Sequence, residues 1–446
     1  MNEYKVAIIG SGPSAFYAAQ ALFKSEMLIK VDMFEKLPTP FGLLRAGVAP
    51  DHQQMKTISK SYEKIAANEN YRFFGNVTIG SDIKISQLES FYHAIIIATG
   101  TENDRKMNIT GETIKGSHTA TEFVAWYNGH PNYQDRTFDL SGENAIIIGQ
   151  GNVAVDVTRI LAKSTEELKE TDITDTALEK LKESKIKKIY MVGRRGPAQA
   201  AFTELELKEL GNIENVTVLL DNYDLSEIDK EEIENSNKKR KNINLINEYA
   251  KNKDNNSKKV ITIQFLSSPV EIIEENSKVK KIKFVKNKLE GTADNQKASP
   301  TDEFIEIDCD IIFRSIGYQG IKLNGIPFDD KKCVIPNIEG QIISETGERI
   351  PNLFVTGWIK RGPSGVIGTN RSDSIETVSH CLKMLENESK LITNDITEFL
   401  EENKLRYITY DQWKVIDRYE IESGEKIGKP REKVTSLKKI FDILDS

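Results

Sequence analysis

Cysteine is scarce: the 446 residues hold 3, and Cys309, Cys333 and Cys381 stand far apart with no C-x-x-C among them. That scarcity excludes a disulfide framework, predicts no metal cluster and points to a reducing compartment. No apolar run reaches the roughly 18 residues that a membrane-spanning helix needs. The first residues pass straight into a strand-like run and leave no room for a signal or transit peptide, so a cytoplasmic location is expected. Basic charge is also in deficit, with 61 Lys and Arg against 68 Asp and Glu, a net charge of −7. This balance argues against general nucleic-acid binding. The length predicts two to three domains around sizeable cores.

What is present begins at Tyr4. Val6-Ala7-Ile8-Ile9 reads as a buried strand, followed by Gly10-Ser11-Gly12-Pro13-Ser14-Ala15 and a helix over Phe16–Lys24. A second strand, Lys30–Phe34, ends on Glu35. The order is that of a dinucleotide site. Gly10 permits a tight turn, Gly12 lets backbone approach a pyrophosphate, and Ala15 lets helix and strand pack closely. The helix N-terminus offers free N–H groups to the phosphates. Glu35 lies 23 residues past Gly12, where a carboxylate binds ribose hydroxyls.

The same pattern recurs at Ala145-Ile146-Ile147-Ile148, followed by Gly149-Gln150-Gly151-Asn152-Val153-Ala154 and a helix over Val155–Leu161. Its second strand, Lys188–Val192, runs into Gly193-Arg194-Arg195-Gly196. Arg194 lies 43 residues past Gly151, the extra length being the charged segment Lys163–Lys185, which reads as a solvated helical insertion. The two units therefore end differently. Glu35 suits a free ribose diol, whereas Arg194 and Arg195 suit an added 2′-phosphate. FAD is expected at the first and NADP(H) at the second, a pairing that implies hydride transfer.

Between these units lies an apolar Pro/Gly loop, Lys36–His52, expected to lie against something. Helix over Gln53–Ala67, strands at Arg72–Gly75 and Val77–Ile79, and a buried strand Ala94–Ala98 ending near Gly100 follow. The strand is placed to return beneath the first site. Asp221–Ser257, with Lys238-Lys239-Arg240-Lys241, reads as a surface excursion. Strand Asn352–Trp358 enters a glycine-rich loop and a helix over Asp373–Leu385, another N-terminus that can face a cofactor. The tail beyond Ile396 reads as helical, anchored by Trp413 and Ile416.

Together the motifs are familiar. Gly-Ser-Gly-Pro-Ser-Ala, Pro-Phe-Gly-Leu with Gly-Val-Ala-Pro-Asp-His, Gly-Gln-Gly-Asn-Val-Ala-Val-Asp, Gly-Arg-Arg-Gly-Pro and Gly-Trp-Ile-Lys-Arg-Gly-Pro-Ser-Gly-Val-Ile-Gly-Thr-Asn all occur. The chain resembles the adrenodoxin reductase family and its bacterial NADPH–ferredoxin reductase relatives. The resemblance implies an α/β fold of two Rossmann-like three-layer domains. Residues 1–103 and 321–446 would form a discontinuous FAD domain with a C-terminal tail, and 104–320 the NADP domain. It implies FAD contacts at Ser14, Glu35, Leu43, Ile79, Trp358, Gly365, Val366 and Ile367. It implies NADP contacts at Gln150, Gly151, Asn152, Val153, Arg194, Arg195 and Glu206, and places His52 and Asp156 near the flavin as catalytic candidates. The family passes electrons from NADPH through FAD to an iron–sulfur protein. A ferredoxin is the expected partner, with flavodoxin as an alternative, and Lys208 with the 238–241 cluster is a candidate docking face.

Three rival readings share these folds. A disulfide reductase needs a near-vicinal cysteine pair, which is missing from the sequence. A flavin monooxygenase would release oxygenated products, and a non-catalytic electron-transfer subunit would bind nucleotide without oxidising NADPH.

Overall fold

A computed structural model of the chain describes residues 3–221, 225–254, 256–365 and 367–446. Two compact units emerge. The first comprises Met1–Val48, His52–Asn103 and Gly317–Ser446; the second comprises Ala49–Asp51 and Asp104–Ile316.

In the first unit, strand Glu3–Ile9 lies between Leu28–Glu35 and Ala94–Ile97, all parallel. Tyr71–Gly75 and Arg349–Val355 extend the parallel run on either side. Gln341–Ile343 and Asn337–Ile338 finish one edge antiparallel. Val6 and Ile8 face a core shared with Phe16, Leu22 and Tyr62, while Ala7 and Ile9 face a second core with Val355 and Ile359. A strand covered on both faces gains from apolar residues at every position, which explains the unbroken Val6–Ile9 run.

The second unit repeats the plan. Its six strands are parallel in the order Ser117–Thr119, Ile311–Arg314, Asn144–Ile148, Lys188–Val192, Lys259–Gln264 and Val216–Leu220. Ala145 and Ile147 pack against Val155 and Ile160 of helix Asn152–Ala162. On the other face, Ile146 and Ile148 meet Ile272, Ile282 and Phe284. These come from an antiparallel sheet of Ser267–Glu275, Lys278–Glu290 and Lys297–Asp308.

Several local expectations need correction. The helix expected over Gln53–Ala67 breaks into Gln53–Lys56 and Ser59–Ala66. Val77–Ile79 forms no strand; Ile79 makes only a single bridge, to Ile83. The Lys163–Lys185 segment is not merely solvated, because Leu168, Ile173, Ala177 and Leu181 are buried in the helical core. Most of its charges are exposed, on or beside helices Thr165–Leu168 and Asp175–Lys182, while Asp172 is buried and Lys163 pairs with buried Asp51. Nor is Asp221–Ser257 an excursion. It folds into helices Glu227–Glu234 and Asn237–Tyr249, with Ile243, Ile246 and Tyr249 spaced every third residue and buried. Asn222, Tyr223, Asp224 and Asn255 lie outside the described residues. The Pro/Gly loop does lie against a core, through Phe41 and Leu44. Trp413 and Ile416 anchor helix Tyr410–Glu425 to the same core.

Candidate nucleotide-binding sites

The two glycine-rich turns share their backbone design. Gly10 N–H donates to Phe34 O at 2.7 Å, and Gly149 N–H donates to Val192 O at 2.8 Å. Both glycines have positive φ, +102° and +135°. A Cβ would lie 2.5 Å from Ala98 O at Gly10 and 2.0 Å from Ser315 O at Gly149. Side chains are thus excluded at both turns. At Gly12 and Gly151 the reverse holds: among the described residues no atom lies within 4 Å of the added Cβ, so each turn leaves room for a group to approach backbone. Helices Pro13–Phe23 and Asn152–Ala162 start without a side-chain cap, which leaves their first N–H groups for an anion.

In the first unit the turn meets a carboxylate. Glu35 is 8% exposed; its Oε2 accepts from Ser11 N–H at 3.1 Å and Ser11 Oγ at 2.7 Å, and its Oε1 from Leu37 N–H at 3.0 Å. Burial holds its pKa above the ordinary value, and these hydrogen bonds offset only part of that rise. Phe41, at φ +82°, and Gly42 carry the loop back over the turn. A Cβ on Gly42 would come 3.0 Å from Gly12 Cα. Gly100 has φ +70° with open space at its Cβ direction. Next to it, the buried Thr101 hydroxyl has no hydrogen-bond partner among the described residues. The open cradle, the orphan hydroxyl and the buried acid fit the adenosine diphosphate half of a dinucleotide.

The other first-unit candidates are unevenly placed. Ser14 Oγ donates to Asn370 Oδ1 at 3.1 Å and lies against Gly357. Leu43 is 40% exposed, on the short helix Leu43–Ala46. Ile79 has its side chain in the core and offers only main chain. Trp358 stacks on Tyr318 and donates to Ser364 O at 3.2 Å. Gly365 turns at φ +82° beside Thr369, and Ile367 packs on the core. Val366 lies outside the described residues. Sequence reasoning missed Asp373, whose Oδ2 accepts from Gly357 N–H at 2.5 Å and whose Oδ1 pairs with Lys360 at 2.9 Å. Its signal was a polar residue in the opening turns of the helix after a glycine loop. His52 is half-buried at the start of helix Gln53–Lys56, where its carbonyl accepts from Met55 N–H at 3.1 Å.

In the second unit, Gln150 and Asn152 are committed to holding the protein. Gln150 Nε2 donates to Gln264 O at 2.9 Å, and Asn152 Oδ1 accepts from Thr203 N–H at 2.9 Å. Val153 is partly buried against the core. Arg194 and Arg195 stand exposed with no carboxylate salt bridge among the described residues. Their backbone is held: Ser267 N–H donates to Gly193 O at 2.9 Å, Leu266 N–H to Arg195 O at 3.1 Å, and Asn287 Nδ2 to Arg194 O at 2.8 Å. Two free guanidiniums on a fixed loop fit a phosphate dianion.

Asp156 and Glu206 meet at a residue that sequence reasoning overlooked. Arg159, 1% exposed, pairs with Asp51 at 2.6 Å, Asp156 at 2.7 Å, Glu206 at 3.3 Å and Glu209 at 3.2 Å. Lys163 adds a second cation to Asp51 at 2.8 Å. Burial opposes ionisation of Asp51, but Arg159 and Lys163 prevail and hold its carboxyl far below the ordinary range.

The cysteines do not make a redox pair. All three are free, and burial pushes the Cys309 and Cys381 thiols up to about 12. Cys309 and Cys381 are therefore protonated and unreactive near neutrality.

Two parallel-sheet units, each with its own glycine-rich turn, define a two-nucleotide α/β oxidoreductase. The family model for pyridine nucleotide-disulphide oxidoreductases matches residues 4–193. NADPH-ferredoxin reductase FprA of Mycobacterium leprae (strain TN) is 44% identical, over 99% of this chain and 98% of that protein. The mitochondrial NADPH:adrenodoxin oxidoreductase of Arabidopsis thaliana is 38% identical, over 97% and 93%. The solved structure of Mycobacterium tuberculosis FprA in complex with NADPH covers 100% of both chains at 41% identity and a TM-score of 0.93. The chain belongs to the NADPH–ferredoxin and adrenodoxin reductase family.

Proposed function

We propose that the protein is an NADPH-dependent reductase that passes electrons through FAD to a one-electron iron–sulfur acceptor of the ferredoxin kind, in the cytoplasm. The carrying observation is the contrast between the two matched turns: a buried carboxylate ends the second strand of one, and an exposed arginine pair follows that of the other. When bound, FAD supplies the conversion between a two-electron hydride donor and a one-electron acceptor. The chain supplies the holding and sorting. Glu35 takes the ribose diol of FAD, and Gly12 with the uncapped helix behind it takes the pyrophosphate. Ser14 and Gly357 set the floor of that site. Gly151 and its helix take the NADP(H) pyrophosphate, and Arg194 with Arg195 takes the 2′-phosphate. His52, half-buried at the start of helix Gln53–Lys56, is the candidate group for exchanging a proton with solvent. Asp156, tied to Arg159, acts as a fixed charge.

Stopped-flow mixing tests this. NADPH should bleach the flavin absorbance, and a ferredoxin from the same source should restore it in one-electron steps. Return of colour only with oxygen, or with flavodoxin but no ferredoxin, would overturn the acceptor assignment. Glu35→Arg should purify with substoichiometric FAD, because it removes the ribose acceptor and buries a cation in its place. Full flavin occupancy after dilution would remove Glu35 from the site.

The docking face needs a narrower test than its count of cations suggests. Lys239 is bound by Glu232 and Asp294, and Lys241 pairs with Glu204 at 3.1 Å. Lys238 and Arg240 are left exposed without a carboxylate partner among the described residues. Lys238→Glu with Arg240→Glu should raise the ferredoxin KM and flatten its salt dependence, while NADPH–ferricyanide turnover persists. An unaltered salt slope would move the docking face elsewhere.

A further inference from the structure

The loop carrying Arg194 and Arg195 ends in a buried device that the nucleotide contacts leave unexplained. Four residues from three separate segments meet there: Gln199 after the arginines, Asp229 and Glu232 on helix Glu227–Glu234, and Gln296 at the turn between strands Lys278–Glu290 and Lys297–Asp308. They are 9%, 4%, 2% and 7% exposed in that order. Gln199 Nε2 donates to Asp229 Oδ1 at 2.9 Å and to Glu232 Oε2 at 2.7 Å. Gln296 Nε2 donates to the same two oxygens, at 2.8 Å and 2.9 Å. Two carboxylates that would repel are thus braced by two amide groups.

The orientation of Gln199 shows how firmly the brace is set. Its Oε1 is buried with no partner among the described residues. Flipping the amide would aim that oxygen at both carboxylates, so the unpaired oxygen is the smaller cost. Gln199 N–H donates to Gly196 O at 3.1 Å, and a Cβ on Gly196 would lie 2.8 Å from Gln199 Oε1. The brace therefore bears directly on the residue after Arg195. Burial disfavours both charges, yet hydrogen bonds from the two glutamines, from Ser226 at Asp229 and from Lys239 at Glu232 keep both carboxyls below the ordinary range. Burial first, and then Arg194, lower the Arg195 pKa, and Glu232 offsets only part of that.

We propose that this amide–carboxylate brace is the positioning element for nicotinamide-nucleotide specificity, holding the Arg194–Arg195 loop in the conformation that receives a 2′-phosphate. The inference rests on the reading of the two arginines as the phosphate site. Gln199 and Gln296 do not contact the nucleotide in this scheme; they act through the arginines. The preference for NADPH over NADH then depends on residues buried behind the binding surface, two of them, Asp229 and Glu232, in the helical segment whose polar composition resembles a surface excursion.

The test is calorimetric titration of the purified holoprotein with adenosine 2′,5′-bisphosphate and with 5′-AMP. Gln199→Leu should weaken the bisphosphate by about 5- to 30-fold, the span of one or two lost stabilising contacts, and leave AMP within about twofold. Gln296→Leu, on a different segment, should do the same and carries the test if Gln199→Leu does not fold. The KM for NADPH should rise in step while kcat changes little. In an Arg194→Ala/Arg195→Ala background, Gln199→Leu should cause no further loss. An equal loss for both ligands, no loss for either, or an undiminished effect without the two arginines would overturn the brace as a specificity element. Unchanged bisphosphate affinity in Arg194→Ala/Arg195→Ala would instead overturn the phosphate-site reading itself.

Discussion

Replacing Arg194 and Arg195 together by alanine is expected to cut kcat/KM for NADPH by roughly 10²- to 10⁴-fold, from two charge-assisted contacts of about 1.5–3 kcal/mol each. Because the two share one phosphate and neighbouring contacts do not add, the loss should fall toward the lower figure. Turnover with NADH should stay within about threefold, because NADH presents no phosphate to lose. The loop should survive the change: its carbonyls are held by Ser267, Leu266 and Asn287 rather than by the guanidiniums. Initial-rate measurements with both nucleotides decide the matter. Parallel losses would mean that the substitution had damaged the loop or the wider site, and the exposed pair would revert to ordinary surface charge.

Arg159→Met should destabilise the second unit by about 3–5 kcal/mol, the cost of leaving buried carboxylates without their cation. For a unit of this size the melting temperature should fall by roughly 6–20 °C. The pH dependence carries a distinct sign. In the native protein Asp51 titrates below its unfolded value. Its contribution is present above about pH 4 and fades as pH falls through the lower, folded value. In Arg159→Met, Asp51 keeps Lys163, but Asp156 and Glu206 lose the shared guanidinium. With one of its two cations gone, Asp51 should contribute less, so the loss of stability as pH falls from about 5 to 2 should be shallower than in the native protein. Melting curves across that range would show it. A variant whose stability tracks the native pH profile would mean that solvent had replaced the guanidinium.

The sites were legible wherever the backbone itself imposed the residue. Gly10 and Gly149 each face a carbonyl that tolerates no Cβ, so the first glycine of each G-x-G-x-x-A is forced by sterics and visible in one dimension. Glu35 and Arg194 could be counted from those glycines because the first two strands pair in fixed register, Ile9 opposite Phe34 and Ile148 opposite Val192. Arg159 had no such marker. It sits in mid-helix, and its partners Asp51 and Glu206 are 108 and 47 residues away in sequence. The brace was hidden for the same reason, being assembled from residues as far apart as Gln199 and Gln296. Helix Asn237–Tyr249 was misread because its buried stripe of Ile243, Ile246 and Tyr249 is thin beside its lysines and asparagines. Composition averages over faces, and a helix that buries one narrow stripe averages to polar.

The discontinuity of the first unit bears on the order in which the protein is made. Strand Ala94–Ile97 is synthesised early, yet its neighbour Arg349–Val355 comes only after the whole second unit. Arg45, beside the first turn, waits longer still: its partner is the fully buried Glu420, at 2.6 Å, which also accepts Val434 N–H at 2.8 Å. At roughly 5–20 residues per second, about 13 to 50 s of translation separates the two halves of that sheet. During this time the second unit can close on its own contiguous chain. Strand Ala94–Ile97 meanwhile waits on the ribosome with one side unpaired, which makes the nascent flavin unit the natural client of a chaperone.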